Sequence, residues 1–440
     1  MAANRSITQF LLRFRALNGT VALYGASISL AYAFNILMAR WSGPMEFGRY
    51  LIVWNLIAWT MTLASLGTSV AAVRFIPQYE SAGDDARLGG FLVLSVLATA
   101  AVSIVLGVAG TAMSVLNAFP VLKSLGSMLG PFWILLITVN LGNLASEFAR
   151  AGKNPWMAVG PQGVMRPALA LALIAISSIA GAAQAKVTTT EILTALALSG
   201  ILALLVQGGY LFRRFKQNLQ RRKIYESRRW LRASLQLCMF STAVGGLMQL
   251  DTLMAGILIG PVAAGVFGVD YRVGLAMEIP LAIANILVAP VLSALFARRE
   301  MIELQRSTTR VSLLIFSSSI VIILGVLIFA APILRLFGSQ FVIGLTPLRW
   351  VAIGAAASAA FGPVAFLVII TDLQSVGLIV LIATGIIDVT ASVLLVPIFG
   401  LTGVALAYVV SNVFRSLALY VVLKKMRGVT SGIFYRAGVA

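Results

Sequence analysis

Runs of about twenty apolar residues follow one another along this chain with only short polar connections between them, a spacing that commits it to helices crossing a bilayer. They lie near 18–39, 50–72, 88–113, 129–149, 157–180, 191–212, 233–258, 262–290, 311–334, 347–371, 375–396 and 401–423. Hydrophobic residues are 60% of the 440 and charged residues 11%, with mean hydropathy +0.98, well outside soluble usage. The expected fold is all-α integral membrane, with about twelve transmembrane helices and no length left for a large soluble domain.

The chemistry open to the chain is narrow. It has no histidine, which removes the usual general base and the commonest metal ligand. Cys238 is the single cysteine, so there is neither an intramolecular disulfide nor a cysteine cluster for a metal. No catalytic site, metal site or cofactor is expected.

The net charge of +19 takes its meaning from where the cations fall. On the side of the N-terminus, loops carry Arg74 and Arg87, Arg150 and Lys153, the segment RRFKQNLQRRKIYESRRWLR, then Arg298, Arg299, Arg306 and Arg310, and the tail adds Lys424, Lys425, Arg427 and Arg436. Opposite loops hold Arg40, Arg49, Lys123, Lys186, Arg335 and Arg349. This bias places both termini in the cytoplasm of a multi-pass inner-membrane protein. Arg5, Arg13 and Arg15 among Ile7, Phe10, Leu11 and Phe14 suggest an interfacial basic helix, not a removed signal peptide. The segment near 216–232 reads as a linker helix on the anionic inner leaflet, with no nucleic-acid partner.

An internal repeat organises the chain. GPMEFGRY begins at Gly43 and GPVAAGVF at Gly260, 217 residues later, and Leu37-Met38-Ala39 matches Leu253-Met254-Ala255 at nearly the same offset. With six crossings per half, the halves enter the membrane in the same orientation as parallel repeats. The expected lobes are 1–215 and 233–440, joined by the basic linker 216–232. Each Gly-Pro supplies a sharp turn, because proline cannot continue a helix and glycine reaches backbone angles closed to other residues.

Several segments together resemble the multidrug/oligosaccharidyl-lipid/polysaccharide exporter superfamily, and within it the polysaccharide flippases. These are LMARWSGPMEFGRY, VRFIPQY, QLDTLMAGILIGPVAAGVFGVDYRVG, LFGSQF and PIFGLTGVALAYVVSN, the last departing from the family pattern at Val404. The resemblance covers nearly the whole chain. It implies two six-helix repeats around a central cavity, and alternating access that moves a polyprenyl-diphosphate-linked oligosaccharide without covalent chemistry. Membrane lipids and a polysaccharide polymerase or export complex are the partners it suggests.

Charges inside the spans are the candidate sites, since each costs about 2.5–3.5 kcal/mol on insertion scales without a partner or a watery cavity. Arg166, Arg272 and Arg415, with Arg49 and Arg74 at the ends of the second span, are candidates to bind the cargo's diphosphate, which guanidinium forks suit. Asp251, Glu278 and Asp388 are candidates for coupling to H⁺ or Na⁺, Glu278 because no basic partner is evident beside it. Asp251 also shares a depth with Arg272 and is open to an interhelical ion pair, while Asn35 stands at the matching place in the first half. Prolines 161, 167, 280, 290 and 363 mark hinges or packing kinks. A cation-coupled drug or metabolite antiporter of the related multidrug branch is the alternative. A membrane enzyme fits less well, the outer loops being short and offering only Glu46 and Glu191 as acids.

Overall fold

The computed structural model describes residues 2–116, 128–180 and 186–433, with side chains 2–18, 21, 236, 286, 287, 289 and 290 excepted. Lys123 and Arg436 lie outside the described residues, as do the side chains of Arg5, Arg13 and Arg15. Every element is helical: α1 (Ala2–Ala64), α2 (Thr68–Ala82), α3 (Asp85–Val115), α4 (Leu129–Ala151), α5 (Pro155–Val159), α6 (Arg166–Ala180), α7 (Thr189–Gln220) and α8 (Ser227–Leu258). Then come α9 (Pro261–Met277), α10 (Ile279–Ala297), α11 (Met301–Ile328), α12 (Ala330–Phe337), α13 (Leu345–Phe361), α14 (Val364–Ile370), α15 (Gln374–Phe399) and α16 (Leu401–Arg427). A π-helical turn, Gly160–Met165, joins α5 to α6, and a 3₁₀ turn, Ser339–Gly344, joins α12 to α13.

Ten segments among the described residues are long and apolar enough to cross a membrane, judged by length and composition. The twelve expected crossings are accommodated because Ala22–Ala82 carries the first two in one run, and because the eighth is divided at Glu278 into α9 and α10. At 63 residues a straight α1 would reach about 95 Å, roughly three hydrocarbon thicknesses. It bends instead at Gly43 (φ 75°, ψ 173°), just before Pro44. The expected second span, 50–72, also breaks at Leu66 and Gly67, both with positive φ. A Cβ on Gly67 would fall on the Ser234 carbonyl oxygen, so glycine serves both the turn and a close approach of α8. The tenth span, expected as one run over 347–371, breaks at Gly362 (φ 63°) before Pro363, where a Cβ would meet Ser312.

By compactness the chain forms two units, Met1–Ser42 with Leu56–Thr242, and Gly43–Asn55 with Ala243–Ala440. In the first, an aromatic cluster of Phe75, Tyr79, Phe91, Phe148, Phe215 and Trp230 is buried where α2, α3, α4, α7 and α8 meet. The Trp230 indole donates to the Tyr79 hydroxyl at 2.8 Å, satisfying a polar group that burial would otherwise strand. Replacing Trp230 by alanine is expected to cost about 3–5 kcal/mol and to lower the thermal midpoint sharply. Trp230→Phe, which keeps most of the packing and loses the bond, should cost only about 1 kcal/mol. A thermal-shift series on the purified protein reads both.

The basic linker is not one continuous helix. Helix α7 continues to Gln220, residues 221–226 run non-helically, and the Ile224 N–H donates to the Ala86 carbonyl at 3.1 Å. Gly89 and Gly90 permit this docking, since Cβ atoms there would land on the carbonyl oxygens of Asn218 and Ile224. Ion pairs then tie the segment down: Arg221 with Asp85 and Arg214 with Glu80, each at 2.7 Å, and Glu226 with Arg87 and Arg229 at 2.8 Å. Such exposed pairs contribute about 0–1 kcal/mol each, so the backbone docking carries the geometry.

Asp84 caps α3 by accepting the Arg87 backbone N–H, and that bond, reinforced by the Arg87 guanidinium, holds its carboxyl below the usual range. A lowered folded-state value means the stabilisation is present above the unfolded pKa and is lost as pH falls through the folded one. Asp84→Asn, still a good cap, should therefore remove part of the acid limb of a stability-against-pH profile while changing neutral stability little. An unaltered acid limb would reject this assignment.

In the second unit, the reciprocal packing of the two Gly-Pro repeats is the governing feature. Gly260 has φ 130° and ψ 177°, and Pro261 opens α9 just as Pro44 opens the second arm of α1. A Cβ on Gly48 would fall on the Pro261 carbonyl oxygen, and one on Gly265 on the Pro44 carbonyl oxygen. The two motifs thus cross backbone to backbone, each using its second glycine to admit the other. At the far end of this unit, the chain after α16 threads between helices. Gly432 N–H donates to Ser312 Oγ at 3.0 Å and Ile433 N–H to the Ala360 carbonyl at 3.0 Å. Arg427, expected only as a topology signal, donates twice to the Thr371 carbonyl, at 3.0 and 2.6 Å, and caps the end of α14.

Candidate functional site

Four charged residues of the second unit, Asp251, Glu278, Asp388 and Arg415, converge on a small polar cavity of about 110 Å³. Helix α8 supplies Asp251, α9 Tyr271, the α9–α10 break Glu278, α15 Asp388 and Thr384, and α16 a face of Tyr408, Ser411, Asn412 and Arg415. The four α16 residues recur at helical spacing of three, four and seven, which stacks them along one side of the helix. The cavity has room for a few waters or ions and far too little for a glycan.

Its internal bonding is specific. Ser411 donates to Asp388 Oδ2 at 2.8 Å, and Arg415 donates to Asn412 Oδ1 at 2.6 Å. Asn412 also accepts from Ser358 at 3.0 Å and donates to the Gly354 carbonyl at 3.3 Å, which orients its amide toward the guanidinium. The Tyr408 hydroxyl lies within reach of Glu278, and Asp251 and Asp388 are direct neighbours. One oxygen of each aspartate, Oδ1, is buried without a hydrogen-bond partner. Arg415 lines the same cavity as all three acids, so the structure places a basic residue near Glu278 that the sequence did not reveal. A carboxyl pair beside one guanidinium can accept a proton or a small cation and exchange it against the arginine's charge.

None of the other expected site residues lines this cavity. Arg272 on α9 donates to the Gly268 carbonyl at 2.9 Å, with its guanidinium over the Phe47 ring at 5.9 Å. Arg49 pairs with Glu46 at 2.6 Å, one helical turn away. Asp270 is wholly buried against Gly344, outside the acid cluster. In the first unit, Arg74 is exposed on α2, over the Phe75 ring at 5.9 Å. Arg166 is buried at the start of α6, directly after the π-helical turn that contains Pro161. It donates to Gln162 at 3.4 Å, and Gln162 donates to Gln207, which in turn reaches Ser146 and the Met157 carbonyl. Beside these, Asn140 donates to Ser103 at 3.0 Å and accepts from Thr60 at 3.1 Å. Glu191, the one acid set on α7's entry, completes a capping box with Thr188, a structural task.

Tyr271, Thr384, Tyr408, Ser411 and Asn412 were not singled out by sequence. For the α16 residues the signal was present: a polar stripe ending in Arg415 within an otherwise apolar span. Among the described residues no group of three acids, cysteines or histidines is placed to hold a metal ion.

The fold is shared with solved structures of membrane transporters. A multidrug resistance MATE family transporter of the MOP superfamily, in an inward-facing conformation, superposes with a TM-score of 0.71 at 18% identity, over 92% of this chain and 96% of that one. The lipid II flippase MurJ in an inward closed conformation gives 0.64 at 14% identity, over 92% and 87%. A MOP superfamily transporter from Pyrococcus furiosus, described as having a binding pocket of reversed polarity, gives 0.62 at 17% identity, over 92% and 94%. At these identities the likeness is one of fold. No curated protein matches the chain. The family model of polysaccharide biosynthesis proteins matches residues 17–296, nearly two thirds of the length, and the chain belongs to that family.

Proposed function

We propose that this multi-pass membrane protein translocates a polyprenyl-diphosphate-linked oligosaccharide across the inner membrane, by alternating access, for surface polysaccharide synthesis. Membership of the polysaccharide biosynthesis family is the observation that carries the reading, and the transporter fold supports it. In this account lobes 1–215 and 233–440, joined through 216–232, alternate with both termini in the cytoplasm. Arg272, Arg166, Arg74 and Arg49 attract the diphosphate, and a polymerase or export complex takes the delivered unit.

The acid cavity drives the cycle by binding H⁺ at Asp251, Asp388 or Glu278, or Na⁺ at the neighbouring pair Asp251 and Asp388. Arg415 serves as their charge partner, and the size of the cavity supports an ion over a sugar. Purified protein in sealed vesicles with a fluorescent polyprenyl-diphosphate sugar should make the internal lipid accessible to an external quencher, faster under an ion gradient. Gradient-independent, protein-independent exposure would end the proposal.

The second reading, a cation-coupled drug or metabolite antiporter, draws on the same acid cavity and on the likeness to the MATE transporter. Gradient-driven efflux of organic cations from the same vesicles, with no movement of the lipid, would put it first.

A further inference from the structure

A second cavity, of about 440 Å³, lies in the first unit between α3, α4 and α7. Its walls include Val96, Leu141, Leu144, Phe148, Leu211 and Phe215, and every residue lining it is apolar. Gly208 lies in its α7 wall, and a Cβ there would meet nothing within 4 Å, so the space is not filled by the protein's own packing.

The groove ends where charge begins. The last residues of α7 that line it, Phe212, Phe215 and Leu219, alternate with Arg213 and Lys216, and Arg222 and Lys223 follow in the docked connection. Glu80 and Asp85, the neighbouring acids, are already engaged by Arg214 and Arg221. The other four cations make no ion pair among the described residues. Arg213 and Lys216 lie among the groove-lining turns of α7, and the Lys223 side chain, next to Arg222, approaches Gly89, one turn of α3 from Leu92 in the groove wall. A long hydrocarbon chain beside a surplus of positive charge is the complement of an amphiphile with an anionic head.

We propose that this groove binds one anionic phospholipid, with an acyl chain between α3, α4 and α7 and its phosphate-bearing head against Arg213, Lys216, Arg222 and Lys223. A neutral lipid fills the apolar space equally well and leaves the cations unanswered, so head charge sets the preference.

Native mass spectrometry of the delipidated full-length protein, titrated with phosphatidylglycerol and with phosphatidylcholine, tests the site. The wild type should retain one phosphatidylglycerol with a preference on the order of tenfold over phosphatidylcholine. Gly208→Phe, whose ring has free space to enter, should lose this bound lipid while the protein stays folded. Arg213→Gln combined with Lys216→Gln, both exposed changes, should keep the lipid and bring the preference close to one. Equal retention of the two lipids by the wild type overturns the proposal, as does undiminished binding in Gly208→Phe. Displacement of phosphatidylglycerol by an equal amount of polyprenyl phosphate also overturns it, by assigning the groove to the cargo's tail.

Discussion

Gly48→Val and Gly265→Val should each leave little folded protein in the membrane. A valine at either site drives its Cβ into the backbone of the opposing Gly-Pro motif, onto the carbonyl of Pro261 or of Pro44. A side chain can rotate away from an intruder, whereas a backbone carbonyl at the start of a helix moves only with the helix. Overpacking typically costs about 1–3 kcal/mol, and the fixed neighbour places these sites at or above the upper end. Gly245→Ala is the control, because a Cβ there meets nothing within 4 Å. Membrane abundance and thermal midpoint of the three variants decide the matter. If Gly48→Val accumulates and melts like the control, the reciprocal crossing does not hold this unit together.

Arg415→Met is expected to abolish translocation and to lower abundance as well. It strips Arg415, the one cation lining the cavity among the described residues, from beside Asp251, Glu278 and Asp388, and removing one partner from a buried charge group costs about 3–5 kcal/mol. Arg415→Lys should recover abundance through its charge, but transport only in part, because a lysine cannot reproduce the fixed fork that engages Asn412. Asp388→Asn retains the shape, and with Ser411 able to reorient it should leave abundance near wild type while slowing transport at least tenfold. Wild-type transport in Asp388→Asn would remove this cavity from the coupling mechanism.

The bilayer-spanning helices and the repeat were legible because their signals are local and redundant. Apolar length marks each crossing, and Gly-Pro with a glycine four residues later marks each turn. The break at Leu66–Gly67 was harder to see, since the apolar run continues through it and its partner is distant in sequence, whereas those at Glu278 and Gly362–Pro363 fall beside Pro280 and Pro363, which the sequence marks as hinges or kinks. Gly67 answers to Ser234 and Gly362 to Ser312. The non-helical stretch of the linker has the same kind of origin: its composition suits a continuous helix, while Gly89 and Gly90, more than a hundred residues earlier, admit its backbone against α3.

The intramembrane acids were legible as rare and costly, but their grouping was not. Asp251, Glu278, Asp388 and Arg415 come from four regions of the chain, and only packing brings them to one cavity. The polar stripe on α16 that completes it was readable from spacing alone. Arg272 and Arg166, equally conspicuous in sequence, lie elsewhere: one over Phe47, the other within a glutamine network.

If this chain carries a lipid-linked oligosaccharide across the membrane, the leaflet distribution of that lipid in depleted cells is the most direct readout. With a periplasmic probe that cannot pass the inner membrane, depletion should make completed repeat units accumulate where the probe does not reach, and re-expression should restore labelling. Normal labelling in depleted cells that lack any second carrier would contradict the claim.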